Sequence, residues 1–283
     1  MRLIGAVTDG SGAVNEDACG FAGDAGDVQA AWVFDGVTGI NSRQYLPGGN
    51  DAAWLVSAAQ DHLIAHVAED VTLEEMASNL VDWLIAAWNE VSSGLSLPAD
   101  YDPPAACLIL VKRFGDAWRG LRLGDSCLLA REAGGEHRIF AASPNNSFDH
   151  WLAKEAKRRR DQGVLDIKAL LAEFRPQLLA ARKQRNRPDG YSVLEADARA
   201  LDFVEYIDLG SPESLLLCTD GFYRAADHYG LYDDSGLLDA CLTEGGCACV
   251  LKQVRETEAA DPLCLRYLRF KPADDATALA LGR

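Results

Sequence analysis

Three strand-length apolar runs follow one another closely in the middle of the chain, and they restrict its fold more than any other feature. The runs span 106–114, 117–123 and 127–131, and a Gly-Asp dipeptide directly follows each of the first two. Gly and Asp are typical of turns, and only antiparallel strands can be joined by connections this short. The spacing therefore predicts hairpins and an antiparallel sheet.

Helical periodicity marks longer segments on either side of these runs. Apolar side chains recur at intervals of three and four residues over 51–67 and over 76–91, and a further helix is predicted over 236–257. Other short apolar runs predict strands over residues 3–7, 28–34, 201–209, 214–219 and 276–281. Hairpin-connected strands combined with separate helices predict an α+β fold.

Acidic residues outnumber basic ones. The 283 residues include 27 Lys and Arg against 43 Asp and Glu, a formal net charge of −16. Nucleic-acid binding needs a positively charged surface, so the composition excludes it as a general function. A membrane span is excluded because no stretch of about 18 apolar residues is present. With no export signal at the N-terminus, we expect a cytoplasmic protein whose eight cysteines are reduced thiols.

Four aspartates stand where strand-like apolar runs meet turns: Asp17, Asp35, Asp220 and Asp274. Strand ends can project several carboxylates into one space, where they repel each other unless they are protonated or bound to a cation. Mg²⁺ and Mn²⁺ prefer such oxygen ligands. An Asp-Gly dipeptide alone is a common turn, so the prediction of a metal site rests on the number and order of these aspartates.

Five short motifs contain these aspartates or lie between them. In chain order they are Asn15-Glu16-Asp17, Val33-Phe34-Asp35-Gly36, Arg122-Leu123-Gly124-Asp125-Ser126, Leu217-Cys218-Thr219-Asp220-Gly221 and Asp274-Asp275-Ala276-Thr277. The series resembles the metal-dependent Ser/Thr protein phosphatase family of type 2C, in its bacterial form, over residues 2–283. The resemblance implies one phosphatase-type domain over 1–283. It also implies that family's four-layer αββα sandwich, two antiparallel β-sheets flanked by helix pairs.

The resemblance further implies a site for two Mg²⁺ or Mn²⁺ ions. Asp17, Asp35, Asp220, Asp274 and the Gly36 carbonyl would hold them, and Asp35 would bridge both. Two ions about 4 Å apart would activate a shared water for in-line attack on phosphorus. The activity expected is hydrolysis of phosphoserine and phosphothreonine in a phosphorylated protein, opposing a Ser/Thr kinase.

Three positions depart from the family's pattern. Gly12 stands where the family carries an arginine that grips the substrate phosphate, and Val37 where the eukaryotic motif has a histidine. Arg224 replaces an acid that helps to hold a third ion, so we expect two ions. Glu16, Asp125 and Asp275 are the further candidates for a third ion or for contacts behind the ligands. Arg224 either grips phosphate from the opposite side of the cleft or forms an ordinary ion pair with a nearby acid.

Three other functions match parts of the sequence: a pseudophosphatase, a cysteine-dependent phosphatase and a zinc-binding protein. A pseudophosphatase, which binds metal and phosphoprotein without turnover, is favoured by Gly12 and opposed by the four aspartates. Cys218 to Arg224 matches the Cys-x5-Arg spacing of cysteine-dependent phosphatases, but Asp220 within that loop would repel both thiolate and phosphate. His62 and His66 have a spacing that can clamp zinc, without the glutamate of the common zinc motif.

A basic segment interrupts the acidic chain. Residues 152–187 contain eleven Lys and Arg against four Asp and Glu, a local charge of +7. We interpret it as part of a helical insertion, or flap, at about 143–195. Its apolar residues predict a helix pair docked on the body of the protein. Its charge suggests instead a lid that attracts acidic or phosphorylated partners.

Overall fold

The structure is a computed structural model that describes residues 1–141 and 147–283. Within the described residues there are ten strands, seven α-helices and one short 3₁₀-helix over Ala198–Phe203. The strands are β1 (Arg2–Asp9), β2 (Ala18–Asp24), β3 (Asp27–Gly36), β4 (Ala106–Phe114), β5 (Ala117–Leu123), β6 (Cys127–Arg131), β7 (His137–Phe140), β8 (Glu205–Gly210), β9 (Ser214–Cys218) and β10 (Ala276–Gly282). The helices are α1 (Asp51–His66), α2 (Leu73–Ser92), α3 (Ser147–Asp161), α4 (Ile167–Arg182), α5 (Asp220–Asp227), α6 (Asp234–Cys241) and α7 (Gly246–Ala260).

The strands form two five-stranded sheets. One has the order β1-β10-β9-β6-β7 and the other the order β2-β3-β4-β5-β8. Every strand pair is antiparallel. The three runs over 106–131 form β4, β5 and β6 within the predicted bounds, but β6 leaves the sheet of β4 and β5 and joins the other one.

Three apolar clusters bind these elements into four layers. One lies between the sheets and includes Val33, Ile109 and Leu217. A second packs α1 and α2 on the outer face of β3 and β4, and a third packs α5, α6 and α7 on the outer face of β9 and β10. The predicted αββα sandwich is thus confirmed, because each sheet needs cover on both faces and the helices supply it.

Strand β3 shows how the alternation of side chains decides the layers. Trp32 and Phe34 face the helices α1 and α2, whereas Ala31 and Val33 face the opposite sheet. Side chains two residues apart share a face of a strand. With both faces buried, residues 30–34 of the strand are all apolar, and Asp35 follows this run at the end of the strand.

Two of the predicted elements are wrong in part. The strand predicted over 201–209 begins only at Glu205, because the side chain of Asp197 accepts a hydrogen bond from the Arg199 backbone and starts a 3₁₀-helix instead. The helix predicted over 236–257 is two helices. Gly245 directly precedes α7 and has φ +69°, a left-handed conformation that glycine adopts without strain.

The basic insertion forms the helix pair α3 and α4. Its apolar face is buried in a separate cluster with Leu152, Phe174 and Leu178, which also takes in Ile40 from the loop after β3. The first residues predicted for the insertion, 143–146, lie outside the described residues. A docked helix pair was one of the two interpretations of this segment, and the packing agrees with it.

All eight cysteines lie within the described residues as free thiols, and six of them are buried. No α-helix in the described part of the chain has the length and apolar character that crossing a membrane requires.

Candidate metal centre

The four predicted aspartates come together where both sheets end. Asp17 precedes β2 and Asp35 is the penultimate residue of β3, and these two strands belong to one sheet. Asp220 follows β9 and Asp274 precedes β10 in the other sheet. Burial raises the pKa of Asp35 well above its ordinary value, and the charges of Asp17, Asp220 and Asp274 raise it further. The carboxylates are therefore close enough to repel one another.

Asp17 accepts a hydrogen bond from the opposite sheet. The Thr219 hydroxyl donates to its Oδ2 over 2.9 Å, while Oδ1 is buried without a hydrogen-bond partner. The residue is only 7% exposed. Burial raises the pKa of this carboxyl well above its ordinary value, against the opposing effect of the Thr219 hydrogen bond. A buried, unpaired carboxylate oxygen is costly, and a cation is the natural partner for it.

Asp35 resembles Asp17 in lacking a counter-charge. No ion pair or side-chain hydrogen bond reaches its carboxylate from the described residues. The backbone around it is tightly constrained, because a Cβ at Gly36 would overlap the carbonyl oxygen of Glu16. The glycine of this Asp-Gly motif is thus required by the close approach of the strand to residues 15–17.

Asp220 and Asp274 differ from this pair because cationic side chains neutralise them. Nη2 of Arg224 lies 2.7 Å from Oδ2 of Asp274 and 3.3 Å from Oδ2 of Asp220. Lys271 forms an ion pair with Oδ1 of Asp274. Although burial would raise the pKa of Asp274, Lys271 and Arg224 hold it below its ordinary value. Burial raises the pKa of Asp220 to about 6 even with Arg224 beside it.

Two of the further candidates hold the loop around Asp17 in place. Oδ1 of Asp275 accepts hydrogen bonds from the backbone N–H and the hydroxyl of Ser11, and its Oδ2 accepts one from the backbone N–H of Glu16 at 2.6 Å. The Glu16 carboxylate in turn accepts from the Thr38 hydroxyl and the Asn50 amide, each at 2.7 Å. The carboxylates of both side chains thus accept hydrogen bonds from protein donors.

Asp125 lies on the side of β4, where the Cys107 thiol donates to its Oδ1 over 3.0 Å. Its charge also raises the pKa of Asp35 and of Asp220, which places it beside the four aspartates. Gly12 is exposed in the loop that follows β1, next to Ser11.

The residues fit a divalent cation at one end of the cluster. Among the described residues, Asp17 and Asp35 are two carboxylates without a cationic partner, and Oδ1 of Asp17 is buried without a hydrogen-bond partner. Gly36 follows Asp35 in the chain. Hard divalent ions take such oxygen ligands. At the Asp220 and Asp274 end, Arg224 and Lys271 take up carboxylate oxygens. As they stand, the described residues contain no group of three or more His, Cys, Asp or Glu side chains arranged for a metal.

Two residues of this centre escaped the sequence analysis. Thr219 stands inside one of the quoted motifs, but a threonine before Asp-Gly carries no distinct signal of a role. Lys271 lies three residues before Asp274 in the loop that precedes β10. A single lysine in a loop forms no motif, and only its contact with Asp274 reveals it.

The cysteine-dependent rival does not fit the structure. The Cys218 thiol is fully buried in β9, and burial together with Cys127 raises its pKa well above the ordinary value. A nucleophilic cysteine needs the opposite, a lowered pKa and access to substrate. Arg224, the arginine of that spacing, contacts carboxylates instead.

The insertion is attached to the loop that follows β3 and to the loop that carries Asp274. On one side Arg182 donates to the carbonyl oxygen of Thr38 at 3.0 Å, and Arg175 to that of Ile40 at 3.3 Å. On the other side Arg160 donates to the carbonyl oxygens of Arg269, at 2.8 Å, and Phe270. Five of the insertion's cations form ion pairs with acids: Lys157, Arg158, Arg159, Arg175 and Arg185.

Comparisons with known proteins agree with this architecture. The model of the protein phosphatase 2C family matches residues 4–244. The solved serine/threonine phosphatase Stp1 from Staphylococcus aureus is 15% identical, with a TM-score of 0.55 over 100% of this chain and 97% of that chain. Serine/threonine phosphatase PstP/Ppp from Mycobacterium tuberculosis is 17% identical, with a TM-score of 0.51 over 98% and 96%.

A third solved structure holds metal. The catalytic domain of serine threonine protein phosphatase PstP, in complex with 2 manganese ions, is 17% identical with a TM-score of 0.50 over 98% of this chain and 95% of that one. No curated protein matches the sequence as a relative. At these identities the solved structures establish a shared fold, and the family match is independent of them.

Proposed function

This chain belongs to the protein phosphatase 2C family, and from that membership we propose that it hydrolyses phosphoserine and phosphothreonine in a protein substrate, using a divalent cation held by Asp17 and Asp35. The observation that carries the proposal is the buried, unpaired Oδ1 of Asp17 beside the uncompensated carboxylate of Asp35. Mg²⁺ or Mn²⁺ matches this set of oxygen donors.

The protein's own residues fix the geometry of this site. The Thr219 hydroxyl donates to Oδ2 of Asp17, which leaves Oδ1 as the oxygen that would bind the ion. Asp35 and the Gly36 carbonyl would complete the ligand set from the end of β3. When bound, the ion supplies a water activated for in-line attack and positive charge that offsets the phosphoryl oxygens.

The carboxylates must be ionised before they can hold a cation. Burial and mutual repulsion raise the pKa of both Asp17 and Asp35, so protons compete with the metal. The ion in turn removes the repulsion that these carboxylates exert on each other. Metal affinity is therefore expected to increase as the pH rises.

Arg224 and Lys271 add positive charge on the side of Asp220 and Asp274. A phosphoryl group that enters next to the ion meets this charge. Nη2 of Arg224 already donates to two carboxylates, which compete with a phosphate for this group. Direct binding of the substrate phosphate by Arg224 stays a prediction. The arrangement with two ions bridged by Asp35 likewise stays a prediction. To bind a second ion, Asp220 and Asp274 would have to break their ion pairs with Arg224 and Lys271.

For the organisation of the chain, we propose that residues 1–283 act as one phosphatase-type domain with the insertion at about 143–195 as its flap. The contacts of Arg160 and Arg182 with the loops around the centre support this arrangement. A phosphorylated protein would approach the centre beside the flap, and the kinase that it opposes would be a Ser/Thr kinase.

A binding module without turnover is the second candidate. The occupied carboxylates of Asp220 and Asp274, together with Gly12 in place of an arginine, are the observations that favour it. Such a protein would bind metal and phosphoprotein but leave the phosphate ester intact.

The test is dephosphorylation of a phosphoserine or phosphothreonine peptide with Mn²⁺, comparing the wild-type protein with Asp35→Asn. We expect turnover that EDTA abolishes and that Asp35→Asn reduces by roughly a hundredfold or more. Asp24→Asn, an exposed aspartate at the far end of β2, is the matched control and should keep full activity. Mn²⁺ binding without hydrolysis of either peptide or of p-nitrophenyl phosphate would favour the binding module instead.

A further inference from the structure

Arg224 and Lys271 enclose Asp274 from both sides. Nη2 of Arg224 contacts Oδ2 of Asp274 at 2.7 Å, and Nζ of Lys271 contacts Oδ1. Both oxygens of this proposed metal ligand thus have a cationic donor. The same Nη2 lies 3.3 Å from Oδ2 of Asp220.

Partial burial restricts the side chain of Arg224, and a second hydrogen bond restricts that of Lys271. Arg224 stands one helical turn after Asp220 in α5, and its side chain is 18% exposed. Lys271 also donates to the Thr38 hydroxyl at 3.1 Å, and Thr38 donates to Glu16. Breaking a pair of this kind leaves a charge that is poorly solvated and has no partner, which is strongly unfavourable.

The charges divide the centre into two halves. Asp220 and Asp274 carry two negative charges, which Arg224 and Lys271 balance with two positive ones. Asp17 and Asp35 carry two negative charges without a cationic side chain among the described residues, and Oδ1 of Asp17 is buried without a partner. A single divalent cation at Asp17 and Asp35 would balance the charge that remains on the four aspartates.

We infer that Arg224 and Lys271 occupy the position of one divalent ion, so that this chain binds one ion, at Asp17 and Asp35, rather than two. The inference rests on the proposed function for the identity of the site, but it concerns how many ions the site takes. The guanidinium and ammonium groups are then permanent parts of the centre, whose positive charge does not depend on the supply of metal.

Mn²⁺ provides the test, because it can be counted and is paramagnetic. Equilibrium dialysis of the full chain against Mn²⁺ should give one bound ion per chain. The electron paramagnetic resonance spectrum should be that of an isolated Mn²⁺, since only ions a few ångströms apart couple their spins. Two bound ions per wild-type chain with a coupled spectrum would overturn the inference, and so would no bound ion at all.

Variants of Arg224 and Lys271 test whether these two side chains exclude a second ion. The double variant Arg224→Met with Lys271→Met keeps side chains of similar length but frees Asp220 and Asp274. It should bind two Mn²⁺ with a coupled spectrum, and one ion in a folded double variant would count against the inference. Arg255→Gln is the matched control: Arg255 donates to the backbone oxygen of Asp274 and touches none of the four aspartates' carboxylates, so its variant should still bind one ion.

Folding is checked by circular dichroism, and if the double variant does not fold, Arg224→Met alone replaces it. The single variant frees Asp220 and one oxygen of Asp274, and should bind a second ion more weakly than the first; one ion only would again count against the inference. Peptide turnover is measured separately. One bound Mn²⁺ without turnover would sustain the inference and refute the proposed activity, whereas two bound ions with turnover would do the reverse.

Discussion

The hydroxyl of Thr219, at the end of one sheet, donates a hydrogen bond to Oδ2 of Asp17, which precedes a strand of the other sheet. The same hydroxyl oxygen accepts a hydrogen bond from the backbone N–H of Thr277 at 3.0 Å. One side chain therefore fixes the position of a proposed metal ligand and joins both sheets beneath the centre. The orientation of Asp17 depends on this contact.

Replacing Thr219 by valine keeps the shape of the side chain but removes the hydroxyl. We expect Mn²⁺ affinity to fall roughly 10- to 100-fold, because the hydrogen bond that orients Asp17 is lost. The free energy of unfolding should fall by about 1–3 kcal/mol, since a buried N–H loses its acceptor. Thr219→Ser keeps the hydroxyl and is the control. Calorimetric titration and urea denaturation measure the two effects, and an unchanged Mn²⁺ affinity in the valine variant would refute the role of Thr219.

Gly221 allows the backbone after Asp220 to pass close to the residues before β10. A Cβ at this position would overlap the carbonyl oxygen of Asp275. We expect Gly221→Ala to lower the free energy of unfolding by roughly 2–3 kcal/mol, because backbone rather than a flexible side chain must move. Gly12→Ala is the control, since its Cβ would meet only the Val14 carbonyl oxygen, at 3.8 Å.

Chemical denaturation of both glycine variants provides the comparison. The control should lie within about 0.5 kcal/mol of the wild-type protein. Equal stability of the two variants would show that the approach at Gly221 is not tight.

Arg160 connects the insertion to the loop that carries Lys271. Arg160 is 7% exposed, and its guanidinium donates to the carbonyl oxygens of Arg269 and Phe270. Arg160→Gln should lower the free energy of unfolding by about 1–3 kcal/mol and make this loop more susceptible to proteolysis. Arg158→Gln, which removes an exposed pair with Glu155, should change neither quantity measurably.

Limited proteolysis and thermal denaturation compare these two arginine variants. Identical cleavage patterns would mean that Arg160 does not hold the loop in place.

His228 gives the protein a predictable sensitivity to acid. Burial, together with the charges of Arg224 and Arg269, lowers its pKa from 6.5 to about 4, and the charge of Asp261 opposes this. Between these two values the unfolded chain binds a proton that the folded chain does not. The free energy of unfolding therefore falls as the pH decreases through this window.

The matched variant for this prediction is His228→Gln, which cannot take up the proton. Between about pH 7 and pH 4 the wild-type protein should lose roughly 1–2 kcal/mol more stability than the variant, a figure reduced for the partial exposure of the side chain. Urea denaturation at several pH values measures the difference. Parallel pH profiles of the two proteins would contradict the prediction.

Much of the fold could be predicted because it is encoded locally. The bounds of β4, β5 and β6 follow from apolar runs interrupted by Gly-Asp turns, and α1 and α2 follow from helical periodicity. Elements with weaker patterns were missed: β2 contains two glycines, β7 is four residues long, and α5 begins inside the motif around Asp220. The break at Gly245 was also missed, because a glycine within a periodic run does not by itself reveal its φ angle.

The candidate residues of the centre can be read from the amino-acid sequence alone. Four aspartates at strand ends, in the order of a known family, identified the carboxylates, and the αββα layers followed from the same resemblance. Those features are readable because each motif is contiguous along the chain.

The distribution of charge in the centre depends on contacts between residues that are far apart in the chain. Arg224 is 50 residues away from Asp274 in sequence, and Thr219 is 202 residues away from Asp17, so neither contact has a local signal. Electrostatic interactions depend on distance in space, and the packing of the two sheets determines which carboxylates lie next to a cationic side chain. Among the described residues, Asp220 and Asp274 therefore have Arg224 and Lys271 as cationic partners, whereas Asp17 and Asp35 have none.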